Sequence, residues 1–439
     1  MQSKKTLDDY ELTPYLKKMI FFASGGPFLD GYVLVIIGVA LAQLGPEMNL
    51  NAHWSALVGA AALAGIFIGT ALFGYVTDLV GRQLMFTVDI FAIAVISLGT
   101  MFIDTPTQLV VMRFLIGIVI GADYPIATSL VTEFTPRKYR ALSIGFIAAV
   151  WYVGATAADI VGYYLCDVAG GWRWMLGSAV IPCVILLVGR WGTPESPRWL
   201  ARKGRIDEAR AIVQKIFGAD VALELEEATE TRYSKIFEKG YFKRMVFVGT
   251  IWACQVVPMF GLYTFGPEII SAFGFGSGKQ AILGDIVISM FFLIGCIPAM
   301  FWLNSIGRRP LIIGSFTIMS VALAVLGFFP KANIWIVVAA FGIYAFFSGG
   351  PGILQWLYPN ELFPTEIRAS AVGAAMAFSR IGTVLSTYAL PIFMEAYGIG
   401  PTMLAGSAIS VLGLIVSITM APETKGLTLA ESSVVDCKK

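Results

Sequence analysis

Gly192-Thr193-Pro194-Glu195-Ser196-Pro197-Arg198-Trp199-Leu200-Ala201-Arg202-Lys203-Gly204-Arg205 opens the one long polar interval of the chain, about Arg190 to Arg244, between two blocks of apolar sequence. The interval continues through an acidic run from Glu224 to Glu230. Nothing in it matches the roughly 20 apolar residues that cross a bilayer. Pro194 and Pro197 each remove a donor and bias their predecessors toward extended backbone, so they end the helix before them. Glu195 is then expected as a first-turn acid of the next helix. Ile206, Ala209, Ile212, Val213 and Ile216 recur at helical spacing among Lys, Arg and Asp, which predicts short amphipathic helices along a membrane surface or under a bundle. An inserted soluble domain is the rival reading, but so few large apolar positions in roughly 50 residues bury little core.

The flanking blocks set the class. With 57% hydrophobic residues, 14% charged and a mean hydropathy of +0.76, against about 25% charge in soluble domains, the chain reads as a polytopic membrane protein. Lys+Arg 31 against Asp+Glu 29 leaves no attraction to nucleic acid. The five cysteines lie singly at 166, 183, 254, 296 and 437, so neither a disulfide framework, a metal cluster nor a cofactor is expected. His53 sits in a short polar loop, where a solvated side chain is expected. The tail from Met1 to Lys18 is charged and the first apolar run outlasts a signal-peptide core, so no cleaved segment is expected.

Apolar runs fall at about 19–44, 54–77, 84–103, 107–132, 141–165 and 172–191, then 244–270, 281–303, 310–329, 333–358, 370–394 and 401–420. These are twelve spans of an all-α membrane protein: a six-helix bundle over 1–191, a linker over 192–243, a second bundle over 244–426 and a short tail over 427–439. Lys4, Lys5, Lys17, Lys18, Arg82, Arg137, Lys138, Arg140, the linker, Arg308, Arg309, Arg368 and the lysines from Lys425 on all fall on one side. By the positive-inside rule both termini and the linker are cytoplasmic.

The halves repeat one another. Gly81-Arg82 after the second span answers Gly307-Arg308-Arg309 after the eighth, and Glu133 precedes Arg140 by the same seven positions as Glu361 precedes Arg368. Pro194-Glu195-Ser196 after the sixth span answers Pro422-Glu423-Thr424 after the twelfth, each 54 residues beyond its arginine, Arg140 or Arg368. Such repeats mark transporters that rock one bundle against the other around a midplane site. Asp78 can cap a neighbouring helix, and Arg82, Arg140, Arg308 and Arg368 can pair with Glu133, Glu195, Glu361 and Glu423 as latches that shut the cytoplasmic side. The alternative is that these charges only fix topology.

An ionised residue inside a span costs about 2.5–3.5 kcal/mol and so faces a cavity or a partner. Asp30, in Gly25-Gly26-Pro27-Phe28-Leu29-Asp30-Gly31-Tyr32, and Arg113, two to three turns before Asp123, stand out. A pair between Asp30 and Arg113 would let one proton switch the site; a static ion pair is the alternative. Asp89, Asp159 and Asp285 read as packing or vestibule residues.

On these motifs the chain resembles major facilitator superfamily transporters of the sugar-porter and metabolite:proton symporter branch, over essentially its whole length. It is similar in particular to enterobacterial inner-membrane metabolite transporters. Pro194-Glu195-Ser196-Pro197-Arg198-Trp199, Pro422-Glu423-Thr424-Lys425-Gly426 and Glu361-Leu362-Phe363-Pro364 are the specific marks. The resemblance implies that Asp30 and Arg113 couple protons, that Gln255 contacts substrate and that Trp356 stacks on it. Ala148 and Phe260 stand where sugar porters carry hydroxyl-reading amides, which argues against a monosaccharide. Asp123-Tyr124-Pro125 resembles a phosphate:proton symporter motif, and Arg380 falls where organic-anion transporters carry Arg.

The expectation is therefore a secondary transporter that imports a small organic anion with protons by alternating access, from an inner-membrane location and as a monomer. It is no enzyme, and its partners are substrate, protons and membrane lipid. Asp30, Arg113 and Asp123 would handle protons; Tyr124, Gln255, Phe260, Trp356 and Arg380 would bind substrate. The cavity is expected between spans 1, 4, 5, 7, 8, 10 and 11. A proton-coupled sugar or polyol porter is the main alternative; a phosphate symporter or a non-transporting sensor is weaker.

Overall fold

A computed structural model describes residues 11–135, 137–217, 238–364, 367–427 and 432. Every element among them is helical: α1 Pro14–Ala23, α2 Gly25–Glu47, α3 Ala52–Val80, α4 Arg82–Thr100, α5 Pro106–Phe134, α6 Arg137–Leu165, α7 Gly171–Gly177 and α8 Val180–Arg190 in the first half. The linker holds α9 Pro197–Arg202 and α10 Ile206–Phe217. The second half holds α11 Lys239–Ala272, α12 Lys279–Ser305, α13 Arg308–Phe328, α14 Ile334–Leu362, α15 Arg368–Tyr397 and α16 Ile399–Met420. Eleven helical stretches, with α1–α2 and α7–α8 each counted once, are long and apolar enough to cross a membrane. The twelfth, α15, has 30 residues, ample length, with serines, threonines and Arg380 along it.

Local chemistry sets several boundaries. Ser24 between α1 and α2 keeps helical backbone angles, so the two helices join through a single residue. In α11, Pro267 withdraws a donor and Phe265 leaves the helical region at φ −127°. Ser196, not Glu195, caps α9: its hydroxyl accepts from the Trp199 N–H at 3.2 Å, with Pro197 at the first helical position. The amphipathic α10 buries Ala209 against Trp199 and Leu200, and Val213 against Leu16, Ile20, Phe86 and Ile147. It therefore lies under the first half at the end that carries the basic helix starts, called here the basic end.

The sequence repeat is also a packing repeat. In the first half α3 packs on α5, α2 on α6, α4 on α5 and α4 on α8; in the second, α12 packs on α14, α11 on α15, α13 on α14 and α13 on α16. Each contact in one half has its counterpart six spans later. The halves meet where α3 packs on α15, α6 on α12 and α2 on α11, and this set is unchanged when the halves are exchanged.

Candidate functional site

A cavity lies between the halves, lined by Pro27 of α2, Ile147, Ala148, Trp151 and Tyr152 of α6, Trp252, Val256, Met259 and Phe260 of α11, Gly352, Gln355 and Trp356 of α14, and Arg380 of α15. Spans 1, 5, 7, 10 and 11 thus supply the described wall; the expected contributions of spans 4 and 8 are not seen there. The wall is aromatic and interlocked: Trp252 and Trp356 meet edge-on at 5.0 Å, and Trp151 meets Phe260 at 5.9 Å. Arg380, 4% exposed, sets its guanidinium carbon 5.2 Å from the Phe260 ring centroid. It is the only formally charged residue in the described lining.

Phe260, Trp356 and Arg380 are therefore where the sequence placed them. Gln255 is not: fully buried, it turns behind the wall and donates to Ser348 Oγ at 3.1 Å. One turn of α11 on from the cavity's Trp252, its side chain faces α14 rather than the void. Gln355 takes the amide's place in the wall, and its buried Oε1 has no partner among the described residues. Trp151, Tyr152, Trp252 and Gln355 were not singled out from sequence; Gln355 had the one signal available, its place next to Trp356.

Asp30 stands one layer back, 3% exposed, where its Oδ2 accepts the indole N–H of Trp151 at 3.0 Å. Arg113 is equally buried but is not turned onto that carboxylate. Its Nη1 donates to the Val33 carbonyl at 2.8 Å, one turn along α2 from Asp30. No Asp30–Arg113 ion pair forms among the described residues: a helix carbonyl offers the guanidinium its acceptor instead. Asp123 is farther off. Its carboxylate lies against Gly26, where a side chain would collide with it, 3.8 Å from Arg190 Nη1, which is also 3.9 Å from Asp89. Arg190 is held in turn by the carbonyls of Phe22 and Phe86. Asp123 and Asp89 are thus partners of a buried arginine inside the first half, and the phosphate reading loses its acid from the cavity. The Tyr124 side chain lies outside the described residues.

At the basic end the side chains of Asp78, Arg82, Glu133, Arg140 and Arg368 also lie outside the described residues. Of the rest, Arg308 pairs with Glu361 at 2.7 Å, as expected. Glu195 and Glu423 also reach peptide N–H groups. Glu195 accepts from the Gln83 N–H at 3.1 Å, and Glu423 accepts from the N–H groups of Arg308 and Arg309, both at 3.1 Å. Each carboxylate caps the first turn of a helix, α4 or α13, whose peptide donors have no intrahelical acceptor. Gly81 and Gly307 precede those helices at φ 112° and 105°, a conformation other residues adopt at a cost. The Arg308–Glu361 pair and the Glu423 cap join helices of the same half, so they brace that half and do not cross the seam.

Links across the seam occur at the opposite end. Lys279 Nζ at the start of α12 meets Asp167 Oδ2, beyond α6, at 2.5 Å. Ser289 donates to Asp159 at 2.6 Å, and the Tyr388 hydroxyl of α15 lies 2.9 Å from His53 Nδ1 of α3. His53 is exposed, but it lies in the first turn of α3 rather than in the expected loop, and it is engaged. The hydrogen bond to Lys279 holds the Asp167 carboxyl below the ordinary range.

The sequence model of the family described as "Sugar (and other) transporter" matches residues 18–435. The chain is 60% identical to the Escherichia coli K12 protein YaaU, provisionally named a metabolite transport protein, over 99% of this chain and 98% of that one. It is 34% identical to the inner membrane metabolite transport protein YgcS of the same organism, over 98% and 96%. Among solved structures, the partially occluded inward-open xylose transporter XylE of Escherichia coli superposes with a TM-score of 0.81 at 23% identity, covering 95% of this chain and all of that one. XylE solved as a major facilitator superfamily proton:xylose symporter with a bromo-deoxy-glucose gives 0.76 at 22%, covering 95% and 98%.

Proposed function

Because the chain belongs to the sugar (and other) transporter family and has the two-bundle, twelve-helix major facilitator fold, we propose that it imports a small organic anion together with protons by alternating access. The basic end is the cytoplasmic end in this reading, supported by the distribution of lysine and arginine. The observation that carries the anion is Arg380. A guanidinium set in a buried aromatic wall can present its fork of donors to a ligand carboxylate. Trp252, Trp356 and Phe260 would sandwich an apolar or planar body, and Gln355 would accept from a hydroxyl. Asp30 would carry the proton: when ionised it holds the Trp151 indole, and when protonated it loosens the ring that forms the cavity wall.

A sugar or polyol is the second reading, favoured by Gln355 and the paired tryptophans, and by relatives such as the Staphylococcus epidermidis glucose transporter GlcP, 29% identical. Counterflow in proteoliposomes against sugars, sugar acids, aromatic acids and phosphate separates the readings. Exchange of an acid but not of its neutral analogue is the expected result. Asp30→Asn should abolish accumulation driven by a pH gradient while sparing exchange; accumulation retained by Asp30→Asn removes Asp30 from the coupling.

A further inference from the structure

Two buried acids in the wall between the halves have no part in the transport scheme above. Asp159 on α6 and Asp285 on α12 are 0% and 3% exposed and sit near the helix ends opposite the basic end. Ser289, one turn beyond Asp285, reaches across the seam to Asp159 Oδ2 at 2.6 Å. The second oxygen of Asp159 and Oδ2 of Asp285 are buried without a hydrogen-bond partner among the described residues, and the two carboxylates lie within each other's field. Tyr263 of α11 lies in the field of both; it is 2% exposed and its hydroxyl is likewise without a partner. Asp285 also presses on Gly266, whose missing side chain leaves the space that the carboxylate fills.

No cation on the surrounding helices faces this pair. The helices packed on α6 and α12 include α2, α5, α7, α11, α13 and α14; neither α2 nor α14 contains Lys or Arg, Arg113 of α5 donates to the Val33 carbonyl, Arg173 of α7 is held by Met101, Ile103 and Asp104, and Arg308 and Arg309 start α13 at the basic end. The basic residues of α6 and α11 lie in their first two turns at the basic end. Lys279 of α12 is engaged by Asp167 at the rim, with its ammonium over the Tyr163 ring. The other titratable groups nearby are Tyr152 of α6, Cys296 of α12 and Tyr344 of α14, whose ring meets Phe292 edge-on at 5.9 Å; none is anionic at neutral pH. Two buried carboxylates in each other's field repel, and burial disfavours the ionised form of both. One proton removes that repulsion, so that the Ser289–Asp159 bond holds α6 to α12 unopposed.

We propose that Asp159 and Asp285 form a proton-binding pair that clamps the outer seam: with one proton bound they join α6 to α12, and when it leaves their like charges part the halves on that side. The pair is one aromatic layer from the cavity, since Tyr263 packs on Trp151 at 5.3 Å, the ring bonded to Asp30. The proposal rests on the alternating-access reading but not on Asp30 or Arg380.

The test is a distance across the outer rim. Spin labels at Val168→Cys and Lys331→Cys, in exposed loops of the two halves, are introduced with Cys166→Ser and Cys437→Ser, and the full chain is measured in lipid nanodiscs. Between about pH 5 and pH 9, a range that spans a shared-carboxylate titration, the wild-type distance should lengthen as pH rises. Asp159→Asn and Asp285→Asn, which cannot hold two charges, should keep the short distance throughout. A wild-type distance that does not move, or Asn variants that move as wild type does, overturns the proposal. Should both Asn variants fail to fold, Ser289→Ala carries the test: loss of a bond to the carboxylate should displace the midpoint by about one pH unit, and an unmoved midpoint overturns the clamp. Sodium chloride restoring the short distance at high pH would assign the site to an alkali cation and overturn the proton. Asp30→Asn should retain the movement; loss there, with retention in the pair variants, would sink the clamp and leave the coupling role of Asp30 standing.

Discussion

At the scale of single residues, the proposed function gives Arg380 and Trp151 separate parts in the cavity. Hydrogen bonds to charged groups contribute about 1.5–3 kcal/mol, so Arg380→Ala should weaken binding of an organic acid by about tenfold to a hundredfold. Arg380→Lys should recover part of that loss, because the charge survives without the bidentate fork. Calorimetric titration checks this, and a sugar bound equally well by wild type and Arg380→Ala would return the protein to ordinary sugar-porter chemistry. Trp151→Phe keeps an aromatic wall but removes the N–H that Asp30 accepts. Its expected effect is a displaced pH profile of accumulation with substrate exchange largely kept; an unchanged profile would detach Trp151 from the proton. Arg380 was legible in sequence because a charge inside an apolar span stands out. Trp151 was not: the chain has ten tryptophans, and Trp151 at 8% exposure reads like Trp335 at 76% until the helices are packed.

At the scale of elements, the duplicated Pro-Glu motifs turn out to serve helix starts. Partial burial alone would push the Glu423 carboxyl up, but the N–H groups of Arg308, Lys425 and Arg309 outweigh it and hold it below the ordinary range. A carboxyl depressed in the folded state adds stability that is fully present above its unfolded value and is lost as pH falls through the folded one. Removing this cap by Glu423→Gln should cost about 1 kcal/mol near neutrality and almost nothing below about pH 3, beneath the depressed folded value. Thermal unfolding in detergent across that range would show the wild-type and variant curves converging on acidification; parallel curves would refute the cap. Gly307→Ala should destabilise further, since a side chain at φ 105° is strained and would stand 2.7 Å from Glu423 Oε2.

At the scale of the whole molecule, the seam decides which face is open. Gly38 of α2 lets its backbone lie against α11: a Cβ there would come within 2.8 Å of the Tyr263 carbonyl oxygen and 2.9 Å of that of Thr264. Backbone cannot yield as a side-chain tip can, so Gly38→Ala should wedge α2 from α11 and favour the state open on the side of Lys279 and Asp167. The Val168–Lys331 distance should then be long even at low pH. A short distance in Gly38→Ala would mean that this contact does not contribute to closure.

The sequence by itself determined the helical class, the twelve spans, the duplicated halves and the linker between them, because hydrophobic run length, proline and glycine punctuation and repeated spacing are local properties that survive without partners. It also picked out Arg380, Phe260 and Trp356, whose chemistry is conspicuous wherever they point. Only the tertiary structure decided that Gln255 faces Ser348, that Asp123 belongs to Arg190, that Glu423 caps α13 and that Asp159 accepts from Ser289 between the halves. Each of these depends on helix rotation and on what a second helix brings up, and residues more than 100 positions apart, such as Asp159 and Ser289, share no local pattern that spacing could disclose.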